Sequence, residues 1–210
     1  MKERPILFQG AMIRALPPGP KTQTRRAVKL GDIPAAAQFA GWQQQDPHPP
    51  AAMFTWPERV VQGRAVVTGV GGLCCPYGQP GDRLWVRETF SGPHYMEARG
   101  HWPSLPPSRW STESPIWYWA DGEPADGDWT RPRPSIHMPR WASRITLEIT
   151  SVRVERLADI STQDCWAEGI PSSPDVNPIH EYQDLWESIN GPGSWNVNPW
   201  VWVVEFRRAA

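Results

Sequence analysis

The stretch ASRITLEITSVRVERL, residues 142–157, is the longest ordered signal in the chain. Ile145, Leu147 and Ile149 alternate with polar residues, which is the period-2 pattern of a strand with one buried face. The apolar positions then change parity to Val152 and Val154. A one-residue slip of this kind predicts a β-bulge or bend near Ser151, as in a strand that curls around a small barrel. Downstream, DISTQDCWAEGI predicts a short helix capped by Ser161 or Thr162, with Asp164 in its first turn and Gly169 as its stop. HEYQDLWESING predicts a second helix with Tyr182, Leu185, Trp186 and Ile189 on one face and Gly191 at its end. PWVWVVEFRR closes the chain as a strand. Upstream, QPGD makes a turn into RLWVRE, with Leu84, Val86 and Glu88 on one face and Arg83, Trp85 and Arg87 on the other. ILFQGAMIRAL reads as a short strand or turn followed by a brief helix, ended by the PPG of 17–19. Strands with a few short helices and no regular alternation predict an α+β fold built on a small β-barrel.

The 210 residues suit one domain, 1–210, with decorations. Two stretches break the pattern. Residues 31–64 carry Pro, Ala and Gln without a steady period and are expected to form an irregular excursion. Residues 91–140 are dense in Pro, Trp and Gly and are expected to form a second insertion, with Trp117 and Trp119 on one face of a short strand. Twenty-five prolines exclude long uninterrupted helices. Fourteen tryptophans suit a core first and base stacking second. With 21 basic and 22 acidic residues the net charge is −1, so any nucleic-acid contact must be local. Three cysteines form no even framework, no signal-like run follows MKERP, and no apolar run reaches membrane-spanning length. A cytoplasmic protein without a membrane partner is expected. Cys74, Cys75, His94, His101 and His137 lack zinc-ligand spacing, so neither a metal site nor a cofactor is expected.

GPKTQTRR, residues 19–26, concentrates the reactive groups. Lys21 and Thr24 stand three apart, so a turn would bring ammonium and hydroxyl together. A desolvated lysine among cations has a depressed pKa and serves as base toward a hydroxyl. Arg25 and Arg26 supply the positive field and a fork for phosphate or a carbonyl oxygen. A solvated basic loop is the competing reading of the same residues. Glu168 could pair with Lys21 or hold a substrate amine, and otherwise lies on the surface. Glu88 is either a barrel-interior carboxylate or a strand-end partner of an arginine.

These residues resemble a family. GPKTQTRR is similar to the G-x-K-T-x-T-x-R signature of the ASCH domain, a PUA-like β-barrel; PGDRLWV, DISTQDCWAEG and VWVVEFRR resemble, in the same order, its turn and strand, its glutamate-bearing helix and its closing strand. The likeness covers about half the chain and leaves out the two insertions; the longer form resembles phage- and prophage-encoded members. Small bacterial members include an amidohydrolase of N4-acetylcytidine. The resemblance therefore implies Lys21, Thr24 and Glu168 as a catalytic set, with Glu88 as the substitute carboxylate. Thr22, Arg25, Arg26 and Glu88 would contact substrate, a modified nucleoside or base. Two alternatives stay open. One is an RNA- or single-stranded-DNA-binding module using Arg25, Arg26, Lys29 and insertion tryptophans. The other is a phage protein whose insertions dock a host partner in the host cytoplasm.

Overall fold

The computed structural model describes residues 1–210 apart from positions 17, 32, 35, 46–47, 62–63, 94–111, 113, 126–128, 172, 174 and 210, and describes the backbone alone at 45, 48, 57–61 and 64–68. The strands are β1 Glu3–Leu7, β2 Gln23–Ala27, β3 Gln38–Gln45, β4 His48–Val61, β5 Arg64–Cys74, β6 Arg83–Arg87, β7 Phe90–Ser91, β8 Trp117–Tyr118, β9 Thr146–Arg156 and β10 Trp200–Arg208. Among the described residues three α-helices accompany them: α1 Gly10–Ala15, α2 Thr162–Ala167 and α3 Pro178–Asn190. The fold is α+β and mostly strand.

A mixed five-stranded sheet in the order β1-β6-β9-β10-β2 carries the molecule. β1 runs parallel to β6 and the other neighbours are antiparallel. The parity change in β9 is a register shift: Glu205 of β10 faces Ser151, and the next residue, Phe206, faces Ile149. The extra residue rotates the strand, so Leu147 and Ile149 before it and Val154 after it all enter the core. Bending does not extend to closure. β1 and β2 stand at opposite edges and do not pair among the described residues, so the expected barrel is found here as an open sheet.

The excursion expected to be irregular is largely a second sheet, the antiparallel meander β3-β4-β5. Its pattern hides in the sequence because prolines open β4 and glycines populate β5. Gly69 leaves room for Trp56, whose indole would lie 2.2 Å from a Cβ there. Phe39, Phe54 and Trp200 meet edge-on or tilted at 5.8–6.2 Å, and Trp42 meets Trp202 at 6.0 Å, joining the meander to β10. In the second insertion the expected strand around 117–119 shortens to β8, which pairs with β7, and Trp119–Asp121 turns into a single 3-10 turn. Met138 and Phe90 are buried together, with Tyr118 of β8 packed against them.

The helices form where the sequence predicts them, although Ile189, expected on the packed face of α3, is exposed. Ser161 caps α2 in a reciprocal box with Asp164, and Gly169 stands at φ +95° just beyond its end. Asn177 caps α3, Pro178 occupies its first turn, and Tyr182 and Trp186 are its buried face. Among the described residues no helix is long and apolar enough to cross a membrane.

Candidate functional site: a buried charge cluster between β2 and α2

Backbone hydrogen bonds bring the β2 approach against two helix ends. The Lys21 amide donates to Ala15 O at the end of α1, and the Thr22 amide donates to Ala167 O at the end of α2, both at 2.8 Å. Thr22 O in turn accepts from Phe206 N at 2.8 Å. Gly169 permits this closeness: a Cβ there would lie 3.0 Å from Ala15 Cβ and 3.2 Å from Lys21 Cβ. Residues 23–27 are extended rather than helical, so the expected proximity of Lys21 and Thr24 through a turn is not the device used. In the strand, Gln23 and Arg25 share a parity and both reach α2 and its surroundings.

Lys21 is completely buried, and its ammonium donates to Gln23 O at 2.9 Å, Glu168 O at 2.8 Å and Glu168 Oε2 at 2.9 Å. Those three bonds fill its donor capacity. Glu168 is 4% exposed, and its other oxygen, Oε1, accepts from Arg25 Nη1 at 3.3 Å. Arg25 also donates to Glu155 Oε1 and lies 3.2 Å from Asp164 Oδ2. Arg153 extends the network to Glu155 at 3.1 Å, to Asp164 at 2.7 Å and to Glu205. Buried charges persist only when paired in this way.

The electrostatic consequences differ by residue. Burial pushes the Lys21 ammonium below its ordinary pKa, with Glu168 opposing that shift and the neighbouring arginines adding to it. Asp164 is held down to about 2: bonds from Ser161, the Arg25 charge and the Gln23 amide together outweigh its partial burial, which acts the other way. Burial, followed by the Glu168 charge, holds the Tyr182 phenol well above its usual value, so it stays protonated. Burial likewise raises the Cys165 thiol to about 11. That thiol is inert at neutral pH.

Thr24 and Arg25 of β2, Glu168 beyond α2, and Tyr182 and Trp186 of α3 line a cavity of ≈ 40 Å³. A groove of ≈ 420 Å³ adjoins it, sharing Met12, Arg26, Ile189 and Asn190 with its lining. The inner cavity is far below the roughly 300 Å³ at which small-molecule sites begin, and the groove lies within their range.

The expected residues therefore divide. Glu168 binds both Lys21 and Arg25, and Thr24 lines a cavity with Arg25 and Glu168. Arg26 stands at the mouth, donating to Leu7 O at 2.7 Å with its guanidinium 5.3 Å from the Phe8 ring. Thr22 is exposed and serves through its backbone. Glu88, 2% exposed, belongs to a separate cluster: Arg144 grips both its oxygens at 2.9 and 3.0 Å, binds Asp121, and lies 4.1 Å above the Tyr118 ring. It is the arginine-paired carboxylate of the two readings. Arg25, expected also as a phosphate contact, has its charge engaged by three carboxylates. Among the described residues no cluster of His, Cys, Asp or Glu could hold a metal; His94 and His101 lie outside them.

Glu155, Arg153, Gln23, Tyr182 and Trp186 escaped the sequence reading of the site. The alternation of Val with Arg and Glu in SVRVER does signal a charged face on β9, but its partner across β10 and β2 is set only by the sheet order. Comparison of the chain with protein-family models, with curated proteins and with solved structures finds no match.

Proposed function

We propose that this protein is a PUA-like, ASCH-type amidohydrolase that removes a small acyl group from the exocyclic nitrogen of a modified cytidine or related base. The observation that carries the reading is the buried, saturated Lys21–Glu168 pair, whose Glu168 lines one cavity with Thr24. A surface loop has no use for such a pair, and a binding module does not require a hydroxyl next to it. Burial favours the neutral amine of Lys21, with Glu168 opposing, and the 2.9 Å bond to Glu168 Oε2 is the route by which a proton would pass between them.

The reaction balances as acyl transfer to Thr24 and then to water. With the Lys21 proton on Glu168, the amine gives up one of its bonds and takes the Thr24 hydroxyl proton as Oγ1 attacks the acyl carbon. The C–N bond breaks as Glu168 returns its proton to the departing nitrogen, releasing the free base amine and leaving an ester on Thr24. Water then adds to that ester, its proton passing to the pair. The acid leaves and Thr24 recovers its hydrogen. The ≈ 420 Å³ groove falls within the range of small-molecule sites, and the inner cavity of ≈ 40 Å³, lined by Thr24 and Glu168, adjoins it.

The test is mass-spectrometric detection of cytidine from N4-acetylcytidine. Product from the parent and none from a folded Thr24→Val variant is the expected result. No product from the folded parent rejects this substrate.

A further inference from the structure

We propose that the modified base is taken from within a single-stranded polynucleotide, and that a second pocket, lined by Lys29 and Tyr77, seats the neighbouring nucleotide; this rests on the function proposed above. The pocket has a volume of ≈ 340 Å³, and Ala27, Leu73, Pro76 and Trp202 complete most of its lining. It shares Ala27 with the inner cavity and Tyr77 with the ≈ 420 Å³ groove, so the three spaces follow one another around the β2 edge of the main sheet. The Val28 amide donates to Trp200 O at 2.8 Å, which keeps the chain extended beside β10 past the end of β2. Thr24 and Val28 therefore stand about 13 Å apart at the usual strand rise. Spaces spread over that length hold more than one base and its sugar.

Charge selects the occupant. Arg26 lines the groove and Lys29 the second pocket, and no Asp or Glu lines either. The Arg26 guanidinium donates only to carbonyls, Leu7 O at 2.7 Å and Arg25 O at 3.5 Å, and Lys29 is exposed; among the described residues neither has a carboxylate partner. In a chain of net charge −1, two such cations along one path make a local positive field that favours phosphate. Tyr77 adds an aromatic wall. It is half-buried, and burial raises its phenol above the ordinary value, so the ring is uncharged at neutral pH and does not repel a phosphate. A base of any identity can stack on such a ring. Leu73 ends β5, and Pro76 and Tyr77 form the turn after it, so the meander supplies this wall. A free nucleoside has no phosphate for either cation.

The test follows the full chain binding fluorescein-labelled oligocytidylate, in ribose and deoxyribose forms, by fluorescence anisotropy. Neither strand carries an acyl group, so the readout is independent of turnover, and the preferred sugar identifies the strand. Saturable binding is expected, with log Kd rising against log[salt] at a slope of about 1.4, which is about 0.7 for each of two phosphate contacts. Lys29→Ala should reduce that slope to about 0.7. Tyr77→Ala should weaken binding about 10-fold or more, while Tyr77→Phe, which keeps the ring, stays with the parent. No saturable binding, or binding unchanged in both alanine variants, overturns the proposal. Cytidine released from free N4-acetylcytidine by a protein that binds neither strand leaves the amidohydrolase reading standing and removes the second pocket's role. Strand binding with these variant effects, but no deacylation of an N4-acetylcytidine placed in the strand, rejects the amidohydrolase reading and leaves the nucleotide site standing.

Discussion

Replacing Lys21 by Met tests the cluster most directly. The variant keeps the length of the apolar stem and removes the ammonium. Glu168, 4% exposed, is then left with Arg25 at 3.3 Å as its cation, and two carbonyls, Gln23 O and Glu168 O, lose their donor. Removing one member of a buried ion pair costs about 3–5 kcal/mol. The carbonyls add about 1 kcal/mol each, offset in part because the ammonium no longer has to be desolvated. A net loss of about 3–5 kcal/mol is a large share of the 5–15 kcal/mol that typically holds a domain together. Urea unfolding of the parent, Lys21→Met, Glu168→Gln and the double variant measures it. The double variant should lose about 1–3 kcal/mol less than the sum of the singles, because the second change removes the charge that the first orphaned. A single-variant loss below about 1 kcal/mol, or strict additivity, would refute a desolvated, mutually dependent pair.

Acid should act through Asp164. Its folded pKa of about 2 lies below the ordinary 3.8, so the unfolded chain binds the proton more readily. The stability it contributes is full above about pH 4 and is lost as pH falls through about 2. Asp164→Asn should flatten the acid limb of the stability curve in that window, and an unchanged slope would show that the Arg25 and Ser161 contacts are not maintained in solution. Gly169→Ala should cost about 1–3 kcal/mol in thermal or urea unfolding, because the residue has φ +95° and the added carbon meets Ala15 and Lys21. Gly122→Ala is the control: φ is +108° but no atom lies within 4 Å, so only the conformational part should be lost. Equal losses at both positions would mean that the close approach of α2 to Lys21 carries no energetic weight.

How much could be read beforehand follows from the range of the forces involved. The cap of α2, the stops at Gly169 and Gly191, the strands at 83–87 and 200–208 and the bulge in β9 were legible, because each is written in residues adjacent along the chain. Strands β3 and β4 were not, since they owe their order to aromatic packing against Trp200 and Trp202 rather than to alternation of their own. The same division runs through the site. Lys21, Thr24 and Glu168 were singled out from side-chain chemistry and from likeness to ASCH motifs, which name reactive groups without placing them. Only the tertiary structure decided that Glu168 meets Lys21 and Arg25, that Glu88 belongs to Arg144 instead, and that Trp186 lines the cavity with Thr24. Those choices depend on which strand lies beside which and on which charges are denied water together. Neither is a property of any short stretch of the chain.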